Sequence, residues 1–208
     1  MAQLFTLFPS PVYRVSVAGH RKFKKKIVPK LLDLYKKEPD KKAPWAGRCD
    51  TWQVHLDEIH SKDFDIISDD IQNAIQTYIN YLKLPPFTYV HEGWINVHEN
   101  NMYQEVHNHI PAILSGIYYI QFDEGKHSPP MFVNPCPTYQ TLMHTLQVGI
   151  NNPLMGPAHD VIFEVAEGDL ILFPGTLDHF VPKAIKPSNK PRISFSFNVY
   201  AEHDPSIQ

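Results

Sequence analysis

Residues 103–119 read YQEVHNHIPAILSGIYY, and the reading of this stretch decides the fold. His107 and His109 stand one residue apart, just before Pro111 and a run of β-branched and aromatic side chains. In an extended strand, residues i and i+2 share a face, so His107 and His109 enter the same space while Asn108 turns away. A single histidine on a buried face is most often a hydrogen-bonded core residue. Two neighbouring imidazoles in one pocket need both donors and acceptors, and a metal ion satisfies them together. The following LSGIYYIQF, residues 114–122, reads as a strand buried on both faces.

Working outward, the chain after Phe87 is a series of such segments. FTYVHEGWINVHE, MFVN, VIFEVA, DLILFPG and RISFSFNVYA are short and rich in β-formers, and Asn, Gly, Pro and Asp separate them. That pattern predicts an antiparallel sandwich, jelly roll or barrel. The front third differs. LFTLFPSPVYRVSV (4–17) predicts an edge or bulged strand, because Pro9 and Pro11 cannot donate to a ladder. Residues 20–37 carry a helical apolar stripe, with Pro29 as a break, and 63–82 carry the strongest helical periodicity. The expectation is a single domain over residues 1–208: helical and edge-strand support over 1–86, and a jelly-roll core over 87–201.

Two later segments add chemistry. In EGDLILFPGTLDHFVP (167–182), a tight turn leads into a buried strand, and Pro174-Gly175 turns the chain again before His179. In a jelly roll this strand can return beside the earlier one, which lets His179 join the pair at 107 and 109. In PRISFSFNVYA (191–201), Arg192, Ser194, Ser196 and Asn198 alternate with Ile193, Phe195, Phe197 and Val199. The polar face looks either into the barrel or to solvent. If inward, Arg192 places a planar, bidentate donor where an acid could bind.

Taken together, WINVHENNMYQEVHNHIPAILSGIYYIQF, EGDLILFPGTLDHFVP, PRISFSFNVY and the N-terminal LFPSPVY resemble the iron(II)/2-oxoglutarate-dependent oxygenases with a double-stranded β-helix (jelly-roll, cupin-like) core. The resemblance is strongest from 94 to 200. It implies Fe(II) and the cosubstrate 2-oxoglutarate, with His107 and His179 as metal ligands and Arg192 on the distal carboxylate. Asn96 and Tyr118 are the further cosubstrate contacts it suggests. The implied reaction is a dioxygenase reaction: 2-oxoglutarate and O₂ give succinate and CO₂ as a substrate is hydroxylated. The wider superfamily pairs two His with one carboxylate, His-x-Asp or His-x-Glu, whereas this chain has His109. Either His109 is the third ligand, or a carboxylate comes from elsewhere, with Glu105 at i−2 from His107 ahead of Asp178.

Two other readings stay open. The stretch 168–179 also resembles the second motif of cupins, metal enzymes that need no 2-oxoglutarate, although 110–116 (IPAILSG) lacks their downstream Glu. A non-catalytic jelly-roll binding module is the other. The 208 residues suffice for a sizeable core, and a net charge of −3 disfavours nucleic acid as partner. A small-molecule or peptidyl substrate and O₂ are the expected partners, and homodimerisation through the N-terminal helices is compatible with the sequence. Cys49 and Cys136 lie far apart without metal-binding spacing. With no signal-peptide pattern and no membrane-length apolar run, a cytoplasmic location is expected. The proline-rich stretch 123–160 is the candidate substrate loop, with Tyr139 and His144 as contacts. His98, in the region of Asn96, has lining the pocket mouth as an alternative, but it and the remaining histidines read as core or surface residues.

Overall fold

The structure is a computed structural model describing residues 10–40, 51–55, 61–85, 87–135, 151–152, 156–157 and 160–202. Cys49, Cys136, Tyr139 and His144 lie outside the described residues. The elements in chain order are β1 (Tyr13–Ser16), α1 (His20–Lys37), β2 (Trp52–His55), a 3₁₀ helix (Ser61–Ile66), α2 (Ser68–Tyr81), β3 (Tyr89–His98), β4 (Gln104–His107) and β5 (Leu114–Gln121). Then come β6 (Met131–Phe132), β7 (Asn151–Asn152), β8 (Gly156–Pro157), β9 (Val161–Ile162), β10 (Asp169–Pro174), β11 (His179–Val181) and β12 (Arg192–Ala201).

A six-stranded sheet runs β1-β10-β5-β12-β3-β2, and a four-stranded sheet runs β4-β11-β6-β9. All their pairings are antiparallel. This is the jelly-roll core that the spacing of short strands predicts. β1 takes an edge of the large sheet, as the prolines before it require. The front third supplies more than support, because β1 and β2 are both strands of that sheet.

The helices cover the outer face of the large sheet. Phe23, Ile27 and Leu31 of α1 and Ile71, Ala74, Ile75 and Tyr78 of α2 join one apolar cluster with Leu114, Tyr118, Ile193, Phe195 and Val199. Ring contacts run from Phe23 to Phe64 (5.0 Å between centroids) and from Phe64 to Phe195 (4.9 Å), tying α1 to β12 through the 3₁₀ helix. α1 continues through Pro29 where the sequence predicts a break. The stripe buried on both sides of that position offsets a proline penalty of about 3 kcal/mol. The second predicted helix is divided: a 3₁₀ turn precedes Ile67, and the α-helix starts at Ser68.

Every residue of β5 is buried. Leu114, Tyr118 and Ile120 face the helices, while Ile117 and Tyr119 join a second cluster with Phe132, Ile171, Phe173 and Leu177 between the sheets. That double burial is why this strand shows no polar alternation in the sequence.

Candidate metal and cosubstrate site

The three histidines converge. β4 and β11 pair with His107 directly opposite His179. His109 follows β4, and its backbone N–H donates to the Gly175 carbonyl at 2.8 Å. Gly175 returns a bond from its own N–H to Ile113 at 3.2 Å. A Cβ at position 175 would stand 2.2 Å from the Ala112 carbonyl oxygen, so only glycine permits this approach of the two loops. One ligand atom from each of His107, His109 and His179 lies within 4.8 Å of the others.

The tautomers suit a cation. His107 Nδ1–H donates to the Glu105 carbonyl at 2.7 Å, and His179 Nδ1–H donates to the Leu177 carbonyl at 2.9 Å. In each ring Nε2 then carries the lone pair that a metal ligand uses. His109 Nε2 and His179 Nε2 are 3.3 Å apart. Two nitrogens on one ion at about 2.1 Å each and near a right angle stand about 3 Å apart, so this spacing fits shared coordination. Burial, reinforced by the neighbouring imidazoles, holds His179 well below its ordinary pKa. Burial likewise lowers His107, and burial with the His107 charge takes His109 to about 4. Neutral imidazoles are the metal-binding form.

The carboxylate rivals do not join them. Among the described residues, the group that could hold a metal is these three histidines alone. Register shifts between β11 and β4, where Val181 opposes Gln104. The bulge changes the parity of β4: Gln104 is buried and lines the pocket, while Glu105 is exposed. Asp178 instead accepts from Asn108 Nδ2 at 2.8 Å.

The inner face of β12 connects this cluster to Arg192. Because Ile193, Phe195, Phe197 and Val199 face the helices, Arg192, Ser194 and Ser196 face the other sheet. Three cross-strand rows result. Ser196 lies between Trp94 and Ile117, and all three line the pocket of the imidazoles. Ser194 lies between Asn96 and Tyr119. Arg192 lies opposite His98. Asn96 Nδ2 donates to Ser196 Oγ at 2.9 Å and its Oδ1 accepts from Gln53 Nε2 at 2.6 Å, which fixes the middle row.

Among the described residues, the buried Tyr119 hydroxyl has no hydrogen-bond partner. Leaving such a group unpaired costs about 1–3 kcal/mol, so an acceptor on a bound ligand would be favoured beside it. Burial raises its pKa, opposed by the charge of Arg192 nearby. Tyr118, which the sequence points to, looks the other way: its hydroxyl is 2.7 Å from His20 Nδ1 among the helices. In a strand buried on both faces, the sequence pattern cannot separate adjacent tyrosines. Sequence reasoning missed Gln104, whose signal is the bulge, and favoured a core or surface role for His98, whose partner only the cross-strand register reveals.

Comparison with known proteins identifies the family and the fold. Residues 92–198 match the family described as "Putative 2OG-Fe(II) oxygenase", just over half of the chain and every residue of the site. The chain belongs to this family of 2-oxoglutarate- and Fe(II)-dependent oxygenases, an enzyme class that takes a substrate and O₂. Among solved structures it is similar to a Pseudomonas putida prolyl-4-hydroxylase (TM-score 0.63, 9% identity, 92% of this chain and 93% of that one). It is also similar to SnoK, a non-heme α-ketoglutarate-dependent carbocyclase of nogalamycin biosynthesis (0.61, 14%, 96% and 84%). A third is HygX from Streptomyces hygroscopicus, with nickel, 2-oxoglutarate and hygromycin B bound (0.57, 11%, 91% and 82%). At these identities the likeness is one of fold. No curated protein matches the sequence. Among the described residues, no helix is long and apolar enough to cross a membrane.

Proposed function

We propose that His107, His109 and His179 hold the Fe(II) of this oxygenase, and that Arg192 receives the distal carboxylate of 2-oxoglutarate. The observation that carries the reading is the convergence of three neutral imidazoles at one end of the polar face whose other end is Arg192. Ser196 and Arg192 are four residues apart on β12, about 13 Å at 3.3 Å per residue. A five-carbon diacid and a long arginine side chain together bridge such a distance. Tyr119, with Ser194 and Asn96 in the row between, replaces Tyr118 as the expected contact along the cosubstrate.

When bound by these histidines, the metal would supply O₂ activation coupled to decarboxylation of the 2-oxo acid. The chain's own part is binding and orientation. Backbone carbonyls fix the rings of His107 and His179, and Arg192 selects a dicarboxylate over a monocarboxylate. Ile117 and Phe173 beside the imidazoles lower the local dielectric, which strengthens each polar contact. The third imidazole leaves the site one charge more positive than a carboxylate would. For substrate, we favour a peptidyl residue or a small molecule. A Trichoplax adhaerens prolyl hydroxylase of similar fold is in complex with a peptide fragment, and HygX has hygromycin B bound.

The test is anaerobic titration of 2-oxoglutarate into the Fe(II)-loaded protein. A saturable visible charge-transfer band is expected from chelation of the metal. Metal binding without a band would overturn the cosubstrate role and favour a cupin-type reaction at the same three histidines.

A further inference from the structure

The arginine end of the site has a partner that the sequence leaves among ordinary histidines. His98 is 4% exposed and stands directly opposite Arg192 in the β3–β12 pairing. Its Nε2 lies 2.7 Å from Thr51 Oγ1, and that hydroxyl donates to the Tyr103 carbonyl at 3.2 Å. The Thr51 oxygen therefore accepts from His98 Nε2–H, which fixes the ring on β3. Arg192 Nη2 is 3.0 Å from His98 Nδ1 and 3.2 Å from Nε2. Near-equal distances to both ring nitrogens place this amino group over the imidazole, not in line with one lone pair. The other amino group, Nη1, donates to the Ser128 carbonyl at 3.0 Å. The guanidinium is thus held at one amino group by a carbonyl and laid by the other on a flat ring.

We propose that His98 is the positioning residue for Arg192: its imbedded ring is the platform that sets the plane of the guanidinium and so aims it at the distal carboxylate of the cosubstrate. The inference rests on the assignment of Arg192 to that carboxylate. A guanidinium on a flexible stem reaches many orientations, and a bidentate contact with a carboxylate tolerates few of them. A neutral aromatic face beneath the cation narrows the choice and adds attraction. Burial in this corner, with the charges of Arg192 and His127 nearby, keeps His98 in the neutral form that a cation can lie on.

The experiment compares two 2-oxo acids in the Fe(II)-loaded protein without O₂. 2-Oxoglutarate has the distal carboxylate and 2-oxobutyrate lacks it, yet both chelate through the same 2-oxo acid group. His98→Ala is expected to weaken 2-oxoglutarate about three- to thirtyfold and to leave 2-oxobutyrate unchanged. His98→Phe keeps a flat neutral ring of similar size and should recover most of the loss. The double variant His98→Ala/Arg192→Ala should bind 2-oxoglutarate no more weakly than Arg192→Ala alone, because the platform acts only through the guanidinium.

If Arg192→Ala loses the discrimination but His98→Ala and His98→Phe keep it, the positioning role is overturned and the arginine assignment stands. Equal weakening of both acids by His98→Ala, or a full additive loss in the double variant, also overturns it. If Arg192→Ala still discriminates between the two acids, the arginine assignment itself fails and the inference fails with it.

Discussion

The two ends of the inner face of β12 are built by different means. At the metal end, loops and backbone do the positioning: carbonyls of Glu105 and Leu177 orient two rings, and the 109–113 and 174–179 segments bond to each other. At the arginine end, side chains position side chains, through Thr51 just before β2, His98 of β3 and Arg192 of β12. On the proposed assignment, the first arrangement would be indifferent to which 2-oxo acid arrives. The second would distinguish acids by length and charge. Chelation and selection are therefore separable, and substitutions at the two ends should fail differently.

The largest effect is expected at the metal end. His179→Ala or His107→Ala should cost on the order of a hundredfold or more in Fe(II) affinity and abolish binding of both 2-oxo acids. Wild-type metal affinity in either variant would remove that histidine from the centre. Next is Arg192→Ala, expected to weaken 2-oxoglutarate about ten- to hundredfold while metal affinity stays, from loss of a charge-assisted contact of about 1.5–3 kcal/mol. Loss of metal binding in that variant would merge the two ends and break the comparison.

Gly175→Ala probes the joint between the metal-bearing loops. The added methyl meets the Ala112 carbonyl oxygen at 2.2 Å, so a loss of about 1–3 kcal/mol in unfolding free energy is expected, together with weaker metal binding. Unchanged thermal stability would show that the loops yield freely. The smallest effect belongs to Tyr119→Phe, about three- to tenfold in 2-oxoglutarate affinity, against none for Tyr118→Phe. The reverse ranking would put the wrong face of β5 in the site.

Acid should act on both ends. His98, His127, His107 and His179 are all lowered from the ordinary value of 6.5, and His109 to about 4, chiefly by burial. Above about pH 6.5 these rings are neutral in both folded and unfolded chains. Below it the unfolded chain takes up protons that the folded chain refuses, so stability falls as pH falls. Thermal melts of the metal-free protein from pH 7.5 to 5 should show a midpoint that declines from about 6.5 downward. A flat profile would contradict the burial of these imidazoles in neutral form.

Much of this was legible in the sequence because it depends on periodicity. The His-x-His spacing, the short strands and the alternation of β12 each follow a strand's two-residue repeat. The inward Arg192 becomes definite only once helices are seen to cover the apolar face of β12. What the sequence concealed is where that repeat slips or loses meaning. The bulge in β4 exchanges Glu105 for Gln104 at the pocket, and double burial of β5 makes Tyr118 and Tyr119 look alike. His98 was concealed for another reason. Its partner is 94 residues away in the chain, and only strand pairing brings the two together.

The contact between Gly175 and the 109–113 turn has a dynamic consequence. The amide of His109 is protected by the Gly175 carbonyl, and the amide of Gly175 by the carbonyl of Ile113. Any opening that separates the two loops breaks both bonds. The two hydrogens should therefore exchange for deuterium as one unit, at one opening free energy. On the proposed assignment metal loading would bridge the same loops through their histidines and should slow both together.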